Sequence, residues 1–213
     1  MEFLPPEIDQ YAEKYTQEES EVLKSLNRDT YTNIIMPRML SGHLQGRLLS
    51  MISKMIRPNQ ILEIGTYTGY SALCLAEGLQ ENGHLHSIDI NDELEEMILS
   101  YWEKGGVAQK CTFHKGNALD IIPTINKTFD LVFIDADKEN YLNYFDMVID
   151  KVSTGGFILA DNVLWSGKVL EKPENMDRDT LALHEYNSKI NNDPRVENLL
   201  LPIRDGIMIA RKK

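Results

Sequence analysis

From Ile61 onward the chain alternates short apolar runs with segments of helical spacing, and few folds accept that order. Ile61–Gly65, His84–Ile90, Cys111–Lys115, Phe129–Asp135 and Phe157–Ala160 read as strands. Tyr70–Gln80, Asp92–Lys104, Ala118–Ile122 and residues 139–151 read as the helices between and after them. Strands alternating with helices build parallel βαβ units and a doubly wound sheet covered on both faces. The run Leu131-Val132-Phe133-Ile134 shows no polar alternation, as a strand buried on both faces requires. Two more strands, Glu197–Leu201 and Ile207–Arg211, flank Arg204-Asp205-Gly206 with no helix between them. So short a link makes no parallel crossover, so one of these strands should run antiparallel.

The N-terminal part reads differently. Ile8, Tyr11, Tyr15, Val22, Leu23 and Leu26 are scattered among charges, as in one amphipathic helix or two short ones. Residues 27–42, with Asn27, Pro37 and Gly42, read as loop. His43–Ile56 carries Leu44, Leu48, Leu49, Ile52, Met55 and Ile56 at helical spacing and stops at Pro58-Asn59. Residues 163–178 read as an irregular insertion before a helix at Arg178–Asn191. With no repeat or long linker, the expectation is one α/β domain over 1–213: a helical extension (1–42) on a Rossmann-like core (43–213).

Composition excludes some functions. A formal net charge of -11 in 213 residues argues against a nucleic-acid or anionic-membrane surface. No apolar stretch approaches a membrane span. The acidic, proline-broken Met1–Glu7 does not fit a signal peptide. Cys74 and Cys111, far apart and outside any CxxC spacing, read as buried reduced thiols of a cytoplasmic protein.

The strand ends carry the chemistry. In open α/β sheets, ligands bind at the carboxyl edge. Glu63-Ile64-Gly65-Thr66-Tyr67-Thr68-Gly69 follows the first strand but lacks the middle glycine of GxGxxG, and there is no GKS or GKT. A nucleoside without phosphates fits this loop better than a dinucleotide. Asp89, 24 residues beyond Gly65, stands near the spacing for an acid that takes a ribose diol. Ala118, after the third strand, could lie by an adenine. Read singly, the glycines are a strand–helix turn and Asp89 a helix cap; their order along successive strand ends favours the nucleoside.

Asp135 and Asp161-Asn162 end two further strands and offer only oxygen donors, which suit a hard cation such as Mg²⁺. None of His43, His84, His86, His114 and His184 falls near them in sequence, against zinc. Asp-Asn also starts many loops. Lys138 could take a proton from a cation-polarised hydroxyl, or be a solvated helix-start lysine.

Three segments together carry a resemblance: Glu63–Ser71, Phe133-Ile134-Asp135-Ala136-Asp137-Lys138-Glu139-Asn140-Tyr141, and Gly155-Gly156 followed by Asp161-Asn162-Val163-Leu164-Trp165-Ser166-Gly167. The chain resembles the cation-dependent O-methyltransferases, a family that includes caffeoyl-CoA and catechol O-methyltransferases, over about residues 35–211. The resemblance implies a seven-stranded, mostly parallel sheet. It implies S-adenosyl-L-methionine as methyl donor, giving S-adenosyl-L-homocysteine, held by Met39, Ser41, Glu63, Gly65, Tyr67, Ser71, Asp89, Ala118, Asp135 and Asp137. It implies Mg²⁺, or Mn²⁺ or Ca²⁺, on Asp135, Asp161 and Asn162, with Lys138 as general base and Asp135 beside it. A small phenolic diol is the expected acceptor and a homodimer the expected assembly. A hydroxylated tRNA base is the rival acceptor, disfavoured by the charge; a non-catalytic cofactor-binding module is disfavoured by the ligand set.

Overall fold

The computed structural model describes residues 5–213, so Met1–Leu4 of the N-terminal segment weighed as a signal peptide lie outside the described residues. Seven strands form one sheet: β1 (Gln60–Ile64), β2 (His84–Asp89), β3 (Cys111–Lys115), β4 (Phe129–Ile134), β5 (Val152–Ala160), β6 (Val196–Leu201) and β7 (Ile207–Lys212). Their order is β3-β2-β1-β4-β5-β7-β6. The first five pair in parallel, and β7 runs antiparallel to both β5 and β6. The late strand β7 therefore lies inside the sheet, and β6 forms the edge.

Among the described residues eight α-helices accompany the sheet: α1 (Pro6–Lys14), α2 (Glu21–Asn33), α3 (Gly42–Ile56), α4 (Tyr70–Ala76), α5 (Glu95–Lys104), α6 (Ala118–Ile121), α7 (Tyr141–Val148) and α8 (Arg178–Asn192). Alternate residues of β4 feed two cores. Val132 and Ile134 pack with Tyr141, Phe145 and Tyr186 from α7 and α8. Leu131 and Phe133 pack on the other face with Leu49 and Ile52 of α3, α4 and Trp102 of α5. Burial of each such large apolar side chain contributes about 1.5–3 kcal/mol.

The helix read over Tyr70–Gln80 ends at Ala76 and that over Asp92–Lys104 starts at Glu95, and two boundaries differ by more. The segment expected as loop from residue 27 continues as α2 to Asn33. Ser20 caps that helix at Leu23 N–H, and Leu23, Leu26 and Thr30 recur on one buried face. Packing of that face outweighs the weak helix propensity of Asn27. Strand β5 starts at Val152, because Gly155-Gly156 is an irregularity within it: Phe129 pairs with Val152, but Leu131 pairs with Phe157. Gly155, at φ 81°, supplies the backbone freedom the bulge needs. Between β5 and α8 the irregular insertion is confirmed, containing only 3-10 turns at Trp165–Leu170 and Pro173–Asn175.

Candidate active site

Four backbone hydrogen bonds extend the parallel ladders one residue past the strands. Gly65 N–H donates to Ile88 O (2.9 Å), Gly116 N–H to Asp89 O (2.9 Å), Asp135 N–H to Ile64 O (2.8 Å) and Asp161 N–H to Ile134 O (2.9 Å). These bonds bring the glycine loop, Asp89, Asp135 and Asp161 to one edge of the sheet, where the sequence reading put the chemistry.

Gly65 is needed for a reason the sequence did not reveal. Its φ is 98°, and a Cβ there would lie 1.9 Å from the carbonyl oxygen of Asp135. The Cα of Gly65 thus packs directly on the chain just past the end of β4. Asp89 does not cap a helix. Its Oδ2 accepts the N–H groups of Thr66 (2.9 Å) and Tyr67 (2.8 Å), and its Oδ1 accepts Asn91 N–H (2.9 Å), so it braces the glycine loop. Tyr67, at φ 50°, donates its hydroxyl to Met36 O (2.9 Å) and so ties residues 36–41 to this loop. Within that segment Met39 is exposed in the 3-10 turn Pro37–Met39, and Ser41 is buried just before α3.

Glu63 is fully buried and accepts the Ser87 hydroxyl. Burial pushes its pKa up to about 8, against the pull of the Ser71 and Ser87 hydroxyls, with Asp135 and Asp89 adding to the rise. Its Oε1 has no hydrogen-bond partner among the described residues: Ser71 lies near enough to lower the pKa without completing a bond. Ala118 is buried at the start of α6, behind Asn117, whose Oδ1 accepts Leu119 N–H (2.9 Å).

The acidic end is a connected network. Lys138, 8% exposed, donates from Nζ to Asp135 Oδ1 (3.2 Å) and to Tyr141 Oη (2.7 Å). It is therefore no solvated helix-start lysine. Tyr141 donates in turn to the Asp161 carbonyl (3.0 Å). Burial, then Asp135 and Asp161, raise the Tyr141 pKa well above that of an ordinary phenol, so it stays protonated. Asp161 is buried; its Oδ2 accepts Gln45 Nε2–H (2.6 Å) and its Oδ1 accepts Asn162 N–H (2.8 Å). Burial and then the charge of Asp135 raise its pKa, opposed by Gln45, the Asn162 amide and Lys138. Asn162 follows at φ 59°. Asp137 is exposed, and its carboxylate accepts the Asn140 amide and the Tyr144 hydroxyl.

Among the described residues no group of three or more His, Cys, Asp or Glu side chains is arranged to hold a metal ion. The candidate donor set is two carboxylates and one amide, an all-oxygen set. Asp161 is buried within reach of the Asp135 charge, which Lys138 offsets in part, and a divalent cation fits the remaining negative charge. Three histidines do gather, but within β2 and β3: His86 Nδ1 and His114 Nε2 lie 3.0 Å apart, and the His84 ring lies tilted against His86 with centroids 4.8 Å apart. Sequence reasoning missed Gln45, Tyr141 and Arg204. Gln45 is a polar residue on the buried side of α3 and Tyr141 lies three residues past Lys138; Arg204 gave no signal.

Comparison with known proteins shows the family. The family model described as O-methyltransferase matches residues 13–213. Caffeoyl-CoA O-methyltransferase 1 of Arabidopsis thaliana is 40% identical over 179 residues, covering 79% of this chain and 69% of the plant protein. Caffeoyl-CoA O-methyltransferase of Medicago sativa is also 40% identical over 179 residues, covering 79% and 72%. Among solved structures, the SAH-bound methyltransferase PaMTH1 of Podospora anserina superposes with a TM-score of 0.90 at 28% identity, covering 100% of this chain and 99% of that one. The O-methyltransferase TomG of Streptomyces achromogenes, in complex with SAM, gives 0.90 at 27% identity, with 97% and 96% covered. The chain belongs to the O-methyltransferase family.

Proposed function

We propose that this protein transfers a methyl group from S-adenosyl-L-methionine to one hydroxyl of a small catechol-like phenol, with a divalent cation such as Mg²⁺ at the acidic end. The observation that carries this reading is the contact of the two halves of the site: Gly65 of the cofactor loop packs directly on the Asp135 carbonyl, beside Lys138. PaMTH1 and TomG were solved with SAH and SAM, which supports the same cofactor here.

The cofactor supplies an electrophilic methyl group on a sulfonium, and its nucleoside would lie along Glu63–Tyr67, Ser71, Asp89 and Ala118, under Met39 and Ser41. The unpartnered Oε1 of Glu63 is a buried acceptor awaiting a donor on this ligand. Asp137, already bonded to Asn140 and Tyr144, would contribute from the rim. Asp135, Asp161 and Asn162 would hold the cation, which supplies positive charge that lowers the pKa of an acceptor hydroxyl. Lys138, as the neutral amine, would take that proton, with its Nζ held by the hydrogen bond to Tyr141. The chain's residues would generate and hold the acceptor oxyanion, and the cofactor would supply the methyl group it takes, with the thioether as leaving group. Opposite charges approach and cancel, so the chain's chief contribution is alignment and exclusion of water.

The test is a methyl-transfer screen over vicinal diols, with and without added Mg²⁺. Activity on a diol that EDTA abolishes and Mg²⁺ restores is expected; Asp161→Ala should lose it while still binding S-adenosyl-L-homocysteine. Turnover indifferent to chelation would remove the cation from the reading. A homodimer and a cytoplasmic location complete the proposal, and light scattering after size exclusion should return twice the chain mass.

A further inference from the structure

The turn Arg204-Asp205-Gly206 lies between β6 and β7, outside the strand ends that carry the proposed chemistry. Arg204 sits at φ 50° and Gly206 at φ 89°. Both residues before Gly206 reach into the site. Arg204 Nη1 donates to Gln45 Oε1 (3.0 Å) and to Leu40 O (3.2 Å). Guanidinium is a donor only and a carboxylate an acceptor only. Arg204 on one side and Asp161 on the other therefore leave the Gln45 amide a single orientation, with Nε2–H facing Asp161 Oδ2 at 2.6 Å. Gln45 itself is 1% exposed, so no water competes freely for that amide.

Asp205 acts on the other side of the turn. Its carboxylate accepts Ser166 N–H and its carbonyl accepts Leu164 N–H (2.9 Å), while Gly206 O accepts Val163 N–H (3.1 Å). The held segment is unusual: Trp165, Ser166 and Gly167 have φ of 45°, 54° and 81°. Non-glycine residues hold left-handed backbone only where the surroundings enforce it. The fit is tight, because a Cβ on Gly206 would lie 2.5 Å from Leu164 Cγ.

We infer that Arg204-Asp205-Gly206 is a positioning device for the acceptor half of the site: Arg204 orients Asp161 through Gln45, and Asp205 holds Trp165 in place beside Lys138. Trp165 stands with its ring 5.7 Å from Lys138 Nζ, so its placement sets one wall of the space next to the proposed base. The Arg204 arm rests on the cation reading above; the Asp205 arm does not.

Two measurements test the arms on the whole protein. In calorimetric titration with Mg²⁺, Gln45→Met and Arg204→Met should each weaken binding about ten-fold, as loss of a group that orients a ligand does. The double variant should be no weaker than Gln45→Met alone, because both act on the cation through one amide, and S-adenosyl-L-homocysteine affinity should be unchanged in Gln45→Met. Arg204→Lys, which keeps a donor, should recover part of the loss. Unchanged Mg²⁺ affinity in Gln45→Met, or additive losses, overturns the Arg204 arm. No Mg²⁺ binding by the unaltered protein overturns the cation reading and this arm with it. For the second arm, 5-fluorotryptophan labelling gives one ¹⁹F resonance each for Trp102 and Trp165, assigned with Trp165→Phe. Asp205→Ala should shift and broaden only the Trp165 resonance and raise the acceptor KM more than it lowers kcat, with Asp205→Asn intermediate. An unmoved Trp165 resonance overturns the Asp205 arm whatever the cation result.

Discussion

Lys138 shows why a residue's burial decides between two chemistries of the same side chain. Its Nζ lies between Asp135 and Tyr141, so it can act as a base or as a fixed positive charge beside the oxyanion. Lys138→Met should lower kcat by roughly 100-fold or more, the usual size of a lost proton acceptor. Lys138→Arg separates the roles, since arginine stays charged: retained activity assigns charge stabilisation, and loss equal to that of Met assigns proton transfer. Gly65 makes a second prediction. Gly65→Ala must push the β1 and β4 ends apart to clear the Asp135 carbonyl. The expected cost is about 2–3 kcal/mol from overpacking and positive φ, read as a lower midpoint in urea unfolding. At this scale Asp135, Asp161 and Asn162 were legible because each follows an apolar run, a pattern local in sequence. Gln45 and Arg204 were not, since 159 residues separate partners that meet only after folding.

At the scale of elements, the β2–β3 pair carries a pH dependence. His86 and His114 share one N–H···N hydrogen bond, with His84 tilted against His86 and hydrogen-bonded to Thr112 Oγ1 at 2.8 Å. Burial first, then the neighbouring histidines and Lys127, push the His86 pKa down to about 4; burial also lowers those of His84 and His114. The unfolded chain therefore binds more protons than the folded one below the ordinary histidine pKa. This contribution to stability is complete above about pH 6.5 and is lost as pH falls towards 4. Thermal unfolding followed between pH 7 and pH 4 should show the midpoint falling, with a shallower fall in His86→Phe. Because Asp89 ends β2 and braces the glycine loop, cofactor affinity should weaken over the same interval. Element type was legible from period and from glycine and proline, whereas α2 ran past its expected end. Its boundary is set by burial of Thr30, whose hydroxyl donates to Thr68 (3.3 Å) across the fold.

For the whole molecule, the net charge of -11 sets which partners approach. An undermodified tRNA should show no mobility shift below about 10⁻⁴ M protein at physiological salt, the weak end of non-specific binding. A shift at micromolar protein would restore the RNA acceptor. The topology was legible as far as one antiparallel strand among the last two. Which of the two it was depended on sheet order, which no local pattern carries. That order has a consequence for synthesis. β7 is the last of these strands to be made, yet the end of β5 relies on it along one edge, from Phe157–Arg211 to Ala160–Met208. Until residues 207–211 leave the ribosome, β5 presents bare backbone donors and acceptors immediately before Asp161. A nascent chain stalled short of β7 should thus be a substrate for chaperones, and a truncation at Gly206 should aggregate rather than yield a weakened enzyme.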